Sequence, residues 1–243
     1  MDGGIILTKK LYGIGVGVGD AGLVTLKAVE ILKEVDYICT PLSTKSDSSK
    51  ALNIISNLVE LKDRVVKLSF KMSKSRKELE QSRTAAARKI YQLLKKDKKI
   101  AFVTIGDPLL YSTYSYMLKK IKDWDNSIEI ETIPGINSIA AATSKYNLPL
   151  AEEKENTAIL SNIKNEDHLE RVLDLFETVV ILKLSRNYEV AYRVLEKLGL
   201  KTNVLIASKC GFEDEFYTEN IEVFKNRKIE YLTLMIVKRE GIL

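Results

Sequence analysis

Three short segments combine glycine with residues that end strands or begin helices. The first runs from Leu11 to Asp20 and carries four glycines among mostly apolar residues, so one face of the predicted strand is bare backbone. Repeated glycine weakens a strand and indicates close approach by a ligand or by another backbone. The segment has neither the G-x-G-x-x-G spacing of a dinucleotide site nor a Gly-Lys-Ser/Thr phosphate loop. A tightly packed turn between a strand and a helix explains the glycines equally well.

The second segment, Ile105–Tyr114, contains Gly-Asp-Pro directly after a predicted strand. Open α/β sheets place ligands at the carboxyl ends of their strands. Gly106 permits backbone approach, Asp107 offers a carboxylate to hydroxyl or ammonium groups, and Pro108 stiffens the turn. A plain turn and helix cap is the alternative. Candidates for substrate contact at the mouth of the next helix are three residues with hydroxyl groups: Tyr111, Ser112 and Thr113.

The third segment, Ile133–Ala142, begins with a Pro-Gly turn and continues into an alanine-rich helix. Asn137 or Ser138 can cap this helix, and capping alone accounts for both residues. The free N–H groups at the helix start can also hold a carboxylate or a carbonyl oxygen.

Composition excludes several kinds of chemistry. His168 is the only histidine, so a multi-histidine metal centre is excluded and a Ser-His-Asp triad is disfavoured. Cys39 and Cys210 form no C-x-x-C pair, and both are interpreted as reduced structural thiols. No metal site is therefore expected. Without a secretory signal or an apolar run of roughly 20 residues, we expect a cytoplasmic protein that does not enter a membrane.

Charge favours an anionic partner without identifying it. The net charge is +5 and the isoelectric point is about 8.9. A run of four cations is interpreted as either a solvated helix face or a rim for a negatively charged substrate: Lys71, Lys74, Arg76 and Lys77. Because no dense basic stripe is interleaved with aromatic residues, no nucleic acid partner is expected.

Short apolar runs alternate with helical patterns along the whole chain, which predicts mainly parallel sheets covered by helices. The polar stretch 123–127 divides the pattern into an N-terminal α/β domain, 1–125, and a C-terminal α/β domain, 126–243. Pro41 is expected to end the second strand. Strands are predicted at 11–18, 37–40, 65–68, 100–105, 129–133, 158–160, 179–184, 204–207 and 232–237. Helices are predicted at 23–34, 51–59, 77–96, 138–145, 169–176 and 189–198.

Taken together, the three segments resemble the tetrapyrrole methylase family over about residues 11–237. This resemblance implies two α/β domains with S-adenosylmethionine in a cleft between them, a fold distinct from the Rossmann-type methyltransferases. Three stretches are most similar to the methylases acting on carbon-20 of precorrin-2 or cobalt-factor II: 106–116, 147–152 and 180–183. The resemblance does not separate the metal-free substrate from its cobalt form.

The resemblance also implies the site residues. Donor contacts carry over in the N-terminal part to Val18, Ile105, Gly106, Asp107, Leu110, Asn137 and Ser138. In the second domain they carry over to Lys183, Cys210 and Thr233. Relatives often have proline where this chain has Val18 and threonine where it has Asn137, and both departures are compatible with backbone contact. The resemblance further implies a homodimer.

Methyl transfer from a sulfonium needs alignment and exclusion of water more than acid-base help. We therefore predict no catalytic general base at the donor, although a carboxylate or water must accept the meso proton afterwards. Two other interpretations remain: a relative of this fold that modifies ribosomal RNA or the diphthamide precursor, and a non-catalytic sensor of an adenosyl ligand. The substrate's acetate and propionate groups would meet the cations at 71–77.

Overall fold

The computed structural model describes residues 9–43, 49–71 and 75–242. The chain divides into two compact units, an N-terminal unit (Met1–Asn137) and a C-terminal unit (Ser138–Leu243). Each unit contains one five-stranded sheet with helices. Within the described residues, no helix is both long enough and apolar enough to cross a membrane.

The N-terminal sheet is parallel throughout, with the strand order β3-β2-β4-β1-β5. Its strands are β1 (Lys10–Gly15), β2 (Tyr37–Ser43), β3 (Val65–Phe70), β4 (Lys99–Thr104) and β5 (Glu129–Ile133). The helices of this unit are α1 (Leu26–Glu34), α2 (Lys50–Ile55), α3 (Arg76–Leu94) and α4 (Tyr114–Trp124), with short 3-10 helices at Ala21–Leu23 and Lys62–Arg64. A parallel sheet needs such crossover helices, since consecutive strands run in the same direction.

Hydroxyl side chains begin three of these helices. Thr25, Ser49 and Ser75 each accept a hydrogen bond from a backbone N–H of the first turn of α1, α2 and α3. Such caps satisfy N–H groups that the helix itself leaves without partners. The helices bury their apolar faces against Leu11, Ile100 and other strand residues that are fully buried.

The prediction that Pro41 ends the second strand is wrong. Pro41 lies inside β2 and is aligned with Leu68 of β3. Proline is tolerated there because the pairing of β2 with β4 stops at Cys39, so one side of β2 no longer needs a backbone donor.

The C-terminal sheet is mixed, with the order β6-β7-β10-β8-β9. Its strands are β6 (Thr157–Leu160), β7 (Thr178–Ile181), β8 (Val204–Ser208), β9 (Phe216–Thr218) and β10 (Thr233–Lys238). Its helices are α5 (Ser138–Tyr146), α6 (Glu166–Leu175) and α7 (Tyr188–Lys197), with 3-10 helices at Leu184–Arg186 and Ile221–Phe224. Only β6 and β7 are parallel, and β10 runs antiparallel to both of its neighbours.

The boundary between the units lies later than the sequence indicates. β5 falls in the predicted second domain, 126–243, but it pairs with β1 and completes the N-terminal sheet. The polar stretch before β5 is therefore a loop between α4 and the last strand of the first sheet. The chain divides after Asn137 instead.

Candidate functional site

The carboxyl ends of three adjacent strands carry the predicted segments of the N-terminal unit. β1 lies between β4 and β5, and all three strands run in parallel. Their carboxyl ends therefore meet at one edge of the sheet, where open α/β sheets bind ligands. Beyond this edge the chain stays paired, since the Gly106 N–H donates to the Gly17 carbonyl at 2.7 Å.

The glycines of β1 are filled by protein rather than open to a ligand. The ring of Tyr114 occupies the space beside Gly13, where a Cβ would overlap it. A Cβ on Gly15 would lie 2.5 Å from the Gly106 oxygen and 2.7 Å from the Gly135 nitrogen. At Gly13 and Gly15, the close approach that the glycines indicated is therefore made by other parts of the protein and not by a ligand.

Gly106 differs from these glycines because its α-carbon has space beside it. A Cβ there would meet, within 4 Å in the described part of the chain, only the Asn137 Cα at 3.8 Å. Its φ of +67° lies in the left-handed region that favours glycine. The predicted donor residues Ile105, Gly106 and Asn137 are thus brought to one place, and all three are half-buried.

Two further predicted donor residues of this unit, Val18 and Leu110, flank the same edge. Val18 follows the Gly17–Gly106 bridge and is buried. Leu110 is half-buried in the turn after β4.

Asp107 ties two of the segments together. Its Oδ1 accepts a hydrogen bond from the Leu109 N–H at 2.8 Å, and its Oδ2 accepts one from the Gly135 N–H at 3.2 Å. Each carboxylate oxygen retains a lone pair for a further donor. From the sequence, the structural alternative for the Gly-Asp-Pro turn was a local turn and helix cap. In the structure, Asp107 also joins this turn to the Pro-Gly turn after β5.

The predicted substrate hydroxyls have different surroundings. Ser112 donates to the Thr104 hydroxyl at 3.2 Å and accepts from the Tyr114 N–H at 3.2 Å, so it joins the end of β4 to the start of α4. Thr113 occupies the N-cap position of α4 without a capping side-chain bond. Tyr111 is half exposed and has a φ of +53°.

In the C-terminal unit, the structure brings three of the four predicted donor residues, Lys183, Cys210 and Thr233, to one edge of the sheet. Thr233 begins β10 opposite Ser208, the last residue of β8, and Cys210 follows two residues later. Met235 pairs with Ile181 at the end of β7, so Lys183 lies beyond β7 at this same edge. Lys183 has a φ of +55°, and burial together with Arg186 lowers the pKa of its ammonium group.

Cys210 is nearly fully buried, and its Sγ lies 3.9 Å from the carbonyl oxygen of Ser138. Burial raises the pKa of the Cys210 thiol. Because the thiolate is the nucleophilic form, this cysteine is poorly suited to covalent chemistry, as the interpretation of a structural thiol requires.

A sequence profile of the tetrapyrrole (corrin/porphyrin) methylases matches residues 10–222. The chain belongs to this methylase family. The prediction of a tetrapyrrole methylase built from two α/β units is thereby confirmed.

This methylase has similar relatives of known name and structure. A probable cobalt-precorrin-2 C(20)-methyltransferase of Methanocaldococcus jannaschii is 39% identical over 240 residues, covering 96% of this chain and 97% of that protein. The X-ray structure of CbiF, a cobalt precorrin-4 methyltransferase, superimposes with a TM-score of 0.73 at 17% identity, covering 95% of each chain. A uroporphyrin-III C-methyltransferase of Thermus thermophilus, complexed with S-adenosylhomocysteine, gives a TM-score of 0.63 at 18% identity, covering 95% of this chain and 97% of that one.

One residue of the methylase that sequence reasoning missed is Asn187. It is buried, and its Oδ1 accepts from the Ile163 N–H at 3.0 Å while its Nδ2 donates to the Leu182 carbonyl at 3.2 Å. Nδ2 also lies 3.4 Å from the Lys183 carbonyl oxygen. The only signal in the sequence is an asparagine four residues after a predicted donor residue, which is too common a pattern to be diagnostic.

Three of the four residues of the predicted cationic rim lie within the part of the chain that the structure describes. Lys71 follows β3 and is exposed, and Arg76 and Lys77 are exposed in the first turn of α3. Lys74 lies outside the described residues. Because β3 runs parallel to β4, Lys71 lies at the same edge as Gly106, two strands or roughly 10 Å away across the sheet.

Proposed function

We propose that this methylase transfers a methyl group from S-adenosylmethionine to carbon-20 of precorrin-2 or of its cobalt form. The near full-length similarity to the Methanocaldococcus jannaschii protein supports this substrate. The support from this chain's own geometry is the meeting of the Gly106, Asp107 and Asn137 segments at the carboxyl edge of the N-terminal sheet.

The residues at this edge fit a donor that is held largely by backbone. Gly15 and Gly135 pack the three segments together, while Gly106 keeps space beside its α-carbon. In the N-terminal unit, donor contacts are proposed at Val18, Ile105, Gly106, Asp107, Leu110 and Asn137. Ser138, Lys183, Cys210 and Thr233 of the C-terminal unit stay predictions of donor contacts.

When bound, S-adenosylmethionine supplies a methyl group activated by its sulfonium. The chain then has to orient the donor and keep water out, and alignment of this kind contributes roughly 7–11 kcal/mol to a rate enhancement. Asp107 holds the turn after β4 against the turn after β5, so it acts by positioning. No side chain is proposed as general base at the donor. A carboxylate or a water molecule takes the meso proton after transfer.

The acetate and propionate groups of the substrate are proposed to contact Lys71, Lys74, Arg76 and Lys77. Further substrate contacts are proposed at the hydroxyl groups of Tyr111, Ser112 and Thr113. Guanidinium and ammonium groups suit carboxylates. Neutralising Lys71, Arg76 and Lys77 together should raise the KM for the tetrapyrrole while leaving the KM for the donor unchanged. Unchanged tetrapyrrole KM in that variant would remove this part of the proposal.

Two further properties are proposed, a cytoplasmic location and a homodimer. The free thiols of Cys39 and Cys210 suit a reducing compartment, which favours the cytoplasm. The family resemblance favours a homodimer, and light scattering of the purified protein tests it.

The deciding experiment supplies labelled donor and either precorrin-2 or its cobalt form to the purified chain. Mass spectrometry should find one added methyl group on at least one of the two. Donor binding without transfer would indicate a sensor, and transfer to RNA or to the diphthamide precursor in place of the tetrapyrrole would indicate another activity of the fold. Nuclear magnetic resonance of the product locates the new methyl group, and a position other than carbon-20 would contradict the proposed regiochemistry.

A further inference from the structure

An open groove of about 660 Å³ lies in the C-terminal unit and is lined by none of the residues named so far for substrate binding. One wall is the segment Ser185–Glu189, which spans the end of a 3-10 helix and the start of α7. The other wall is the segment Phe224–Tyr231, which leads into β10. The first wall begins two residues after Lys183, and the second ends two residues before Thr233. Two residues of chain span at most roughly 7 Å, so each wall lies close to a predicted donor residue.

Side-chain hydrogen bonds hold the two walls in place. The Tyr188 hydroxyl donates to the Ile221 carbonyl at 2.8 Å, and both groups are buried. The Tyr188 ring also meets Phe224 edge-on, with centroids 6.4 Å apart. Asn187 anchors the first wall through Ile163 and Leu182. The groove is therefore a preformed feature of the fold.

Cations outnumber carboxylates along this groove. Its cations are Arg186, Lys225, Arg227 and Lys228, and its carboxylates are Glu189 and Glu230. Lys225 is engaged by Tyr192 and Glu222, and Glu230 lies 3.9 Å from Lys209. Among residues 9–43, 49–71 and 75–242, no carboxylate lies within 4.0 Å of the other three cations. Arg186, Arg227 and Lys228 are thus available to an external anion.

We infer that this groove binds carboxylate groups at one edge of the tetrapyrrole substrate. The inference rests on the proposed function, because it assumes a substrate rich in acetate and propionate groups. Two guanidinium groups offer paired N–H donors that match carboxylate geometry. Tyr231 is half exposed at the groove and supplies an aromatic surface for the apolar part of the ligand.

The test is a triple variant, Arg186→Gln, Arg227→Gln and Lys228→Gln, compared with a charge-matched control in the same unit, Arg171→Gln, Arg193→Gln and Lys197→Gln. All six side chains are exposed, so both variants should fold. The groove variant should raise the tetrapyrrole KM about tenfold, which corresponds to about 1.4 kcal/mol shared among three exposed ion pairs. Its KM for the donor should stay at the wild-type value, and the control should change neither constant.

Two further measurements separate the possible failures. The tetrapyrrole KM of the wild type should rise with salt more steeply than that of the groove variant, because fewer charges remain to be screened. If the wild type methylates the tetrapyrrole and the groove variant keeps the wild-type KM, the groove inference is wrong and the proposed function stands. If the wild type does not methylate any tetrapyrrole, both are wrong. A groove variant that loses RNA binding but keeps its tetrapyrrole KM also overturns the inference.

Discussion

The functional edge of the N-terminal unit is held mainly by backbone packing, and that of the C-terminal unit mainly by side-chain hydrogen bonds. In the N-terminal unit, backbone packs directly on backbone where Gly15, Gly106 and Gly135 meet. In the C-terminal unit, side chains join the loops, as Asn187 does for the turn at Lys183 and Thr233 does through Ser208, at 2.9 Å between hydroxyl oxygens. We therefore expect atoms added at Gly15 or Gly135 to destabilise the first edge, and removed hydrogen-bonding groups to destabilise the second. The single tryptophan, Trp124, lies in the N-terminal unit, so its fluorescence reports on that unit.

The largest effect is expected from Gly15→Ala or Gly135→Ala. A Cβ on Gly135 would lie 2.7 Å from the Gly15 carbonyl carbon, and backbone cannot move aside as a side chain can. We expect a loss of about 3 kcal/mol or more of unfolding free energy, the upper end for overpacking. Trp124 fluorescence during urea unfolding measures it, and calorimetric titration with S-adenosylmethionine should show lost donor binding.

The matched control for these variants is Gly199→Ala in the C-terminal unit. Gly199 has a φ of +70°, but a Cβ there would meet nothing within 4 Å. Only the left-handed conformation opposes alanine, at a cost of about 1–2 kcal/mol. Far-ultraviolet circular dichroism compares the two variants, because Trp124 lies in the other unit from Gly199. A Gly15→Ala variant no less stable than Gly199→Ala would contradict the packing argument.

The next largest effect should come from Asn187→Ala in the C-terminal unit. The change leaves the Ile163 N–H without its partner, at a cost of about 1–3 kcal/mol for a buried donor. It also frees the Lys183 turn, so the KM for the donor should rise. Far-ultraviolet circular dichroism follows the unfolding, and initial rates at varied donor concentration give the KM.

The control for Asn187 is Asn203→Ala, which removes side-chain hydrogen bonds to the Lys238 and Arg239 carbonyls at the opposite end of β10. This variant should lose stability but keep the donor KM of the wild type. Equal donor KM in the two variants would show that Asn187 has no positioning role.

The stability of the N-terminal unit should fall at alkaline pH because Cys39 is buried as a neutral thiol. Burial raises the pKa of Cys39, in the N-terminal core, to about 12 from an ordinary 9.0. Because the folded-state pKa is the higher one, the stabilisation is complete below pH 9 and is lost as the pH rises toward 12. Between pH 9 and 11 the loss is about 2 kcal/mol. Urea unfolding followed by Trp124 fluorescence should show this loss in the wild type and its absence in Cys39→Val. Parallel pH dependence in both proteins would contradict it.

The smallest effect is expected from Thr233→Val, which keeps the shape of the side chain but removes its hydrogen bond to Ser208. The cost should be about 1 kcal/mol, the usual net value of a neutral hydrogen bond. Ser208→Ala tests the same bond from its other end. The double variant should lose less stability than the sum of the single changes, because both remove one interaction. Additive losses would mean that the bond contributes nothing.

The sequence by itself determined most of the strands and helices and the family to which the chain belongs, although it predicted no strand at β9 and gave α4 no bounds. Glu129–Ile133 is predicted as a strand and observed as β5 with the same ends, since its apolar residues and flanking turns are local signals. The glycine strand, the Gly-Asp-Pro turn and the Pro-Gly helix start likewise carry the family resemblance without any structure. All three are sequence patterns, and the family profile across residues 10–222 confirms the membership they indicate.

Tertiary structure alone decided what those elements contact. β5 joins the N-terminal sheet because it pairs with β1, a partner more than 100 residues earlier in the chain. The glycines of β1 face Tyr114 and Gly135, and no local pattern distinguishes such neighbours from a ligand. Asn187 and the cationic groove depend on contacts between residues far apart in sequence. Local sequence sets backbone preference and burial, whereas pairing and packing depend on which distant segments fold together, so only the folded chain reveals them.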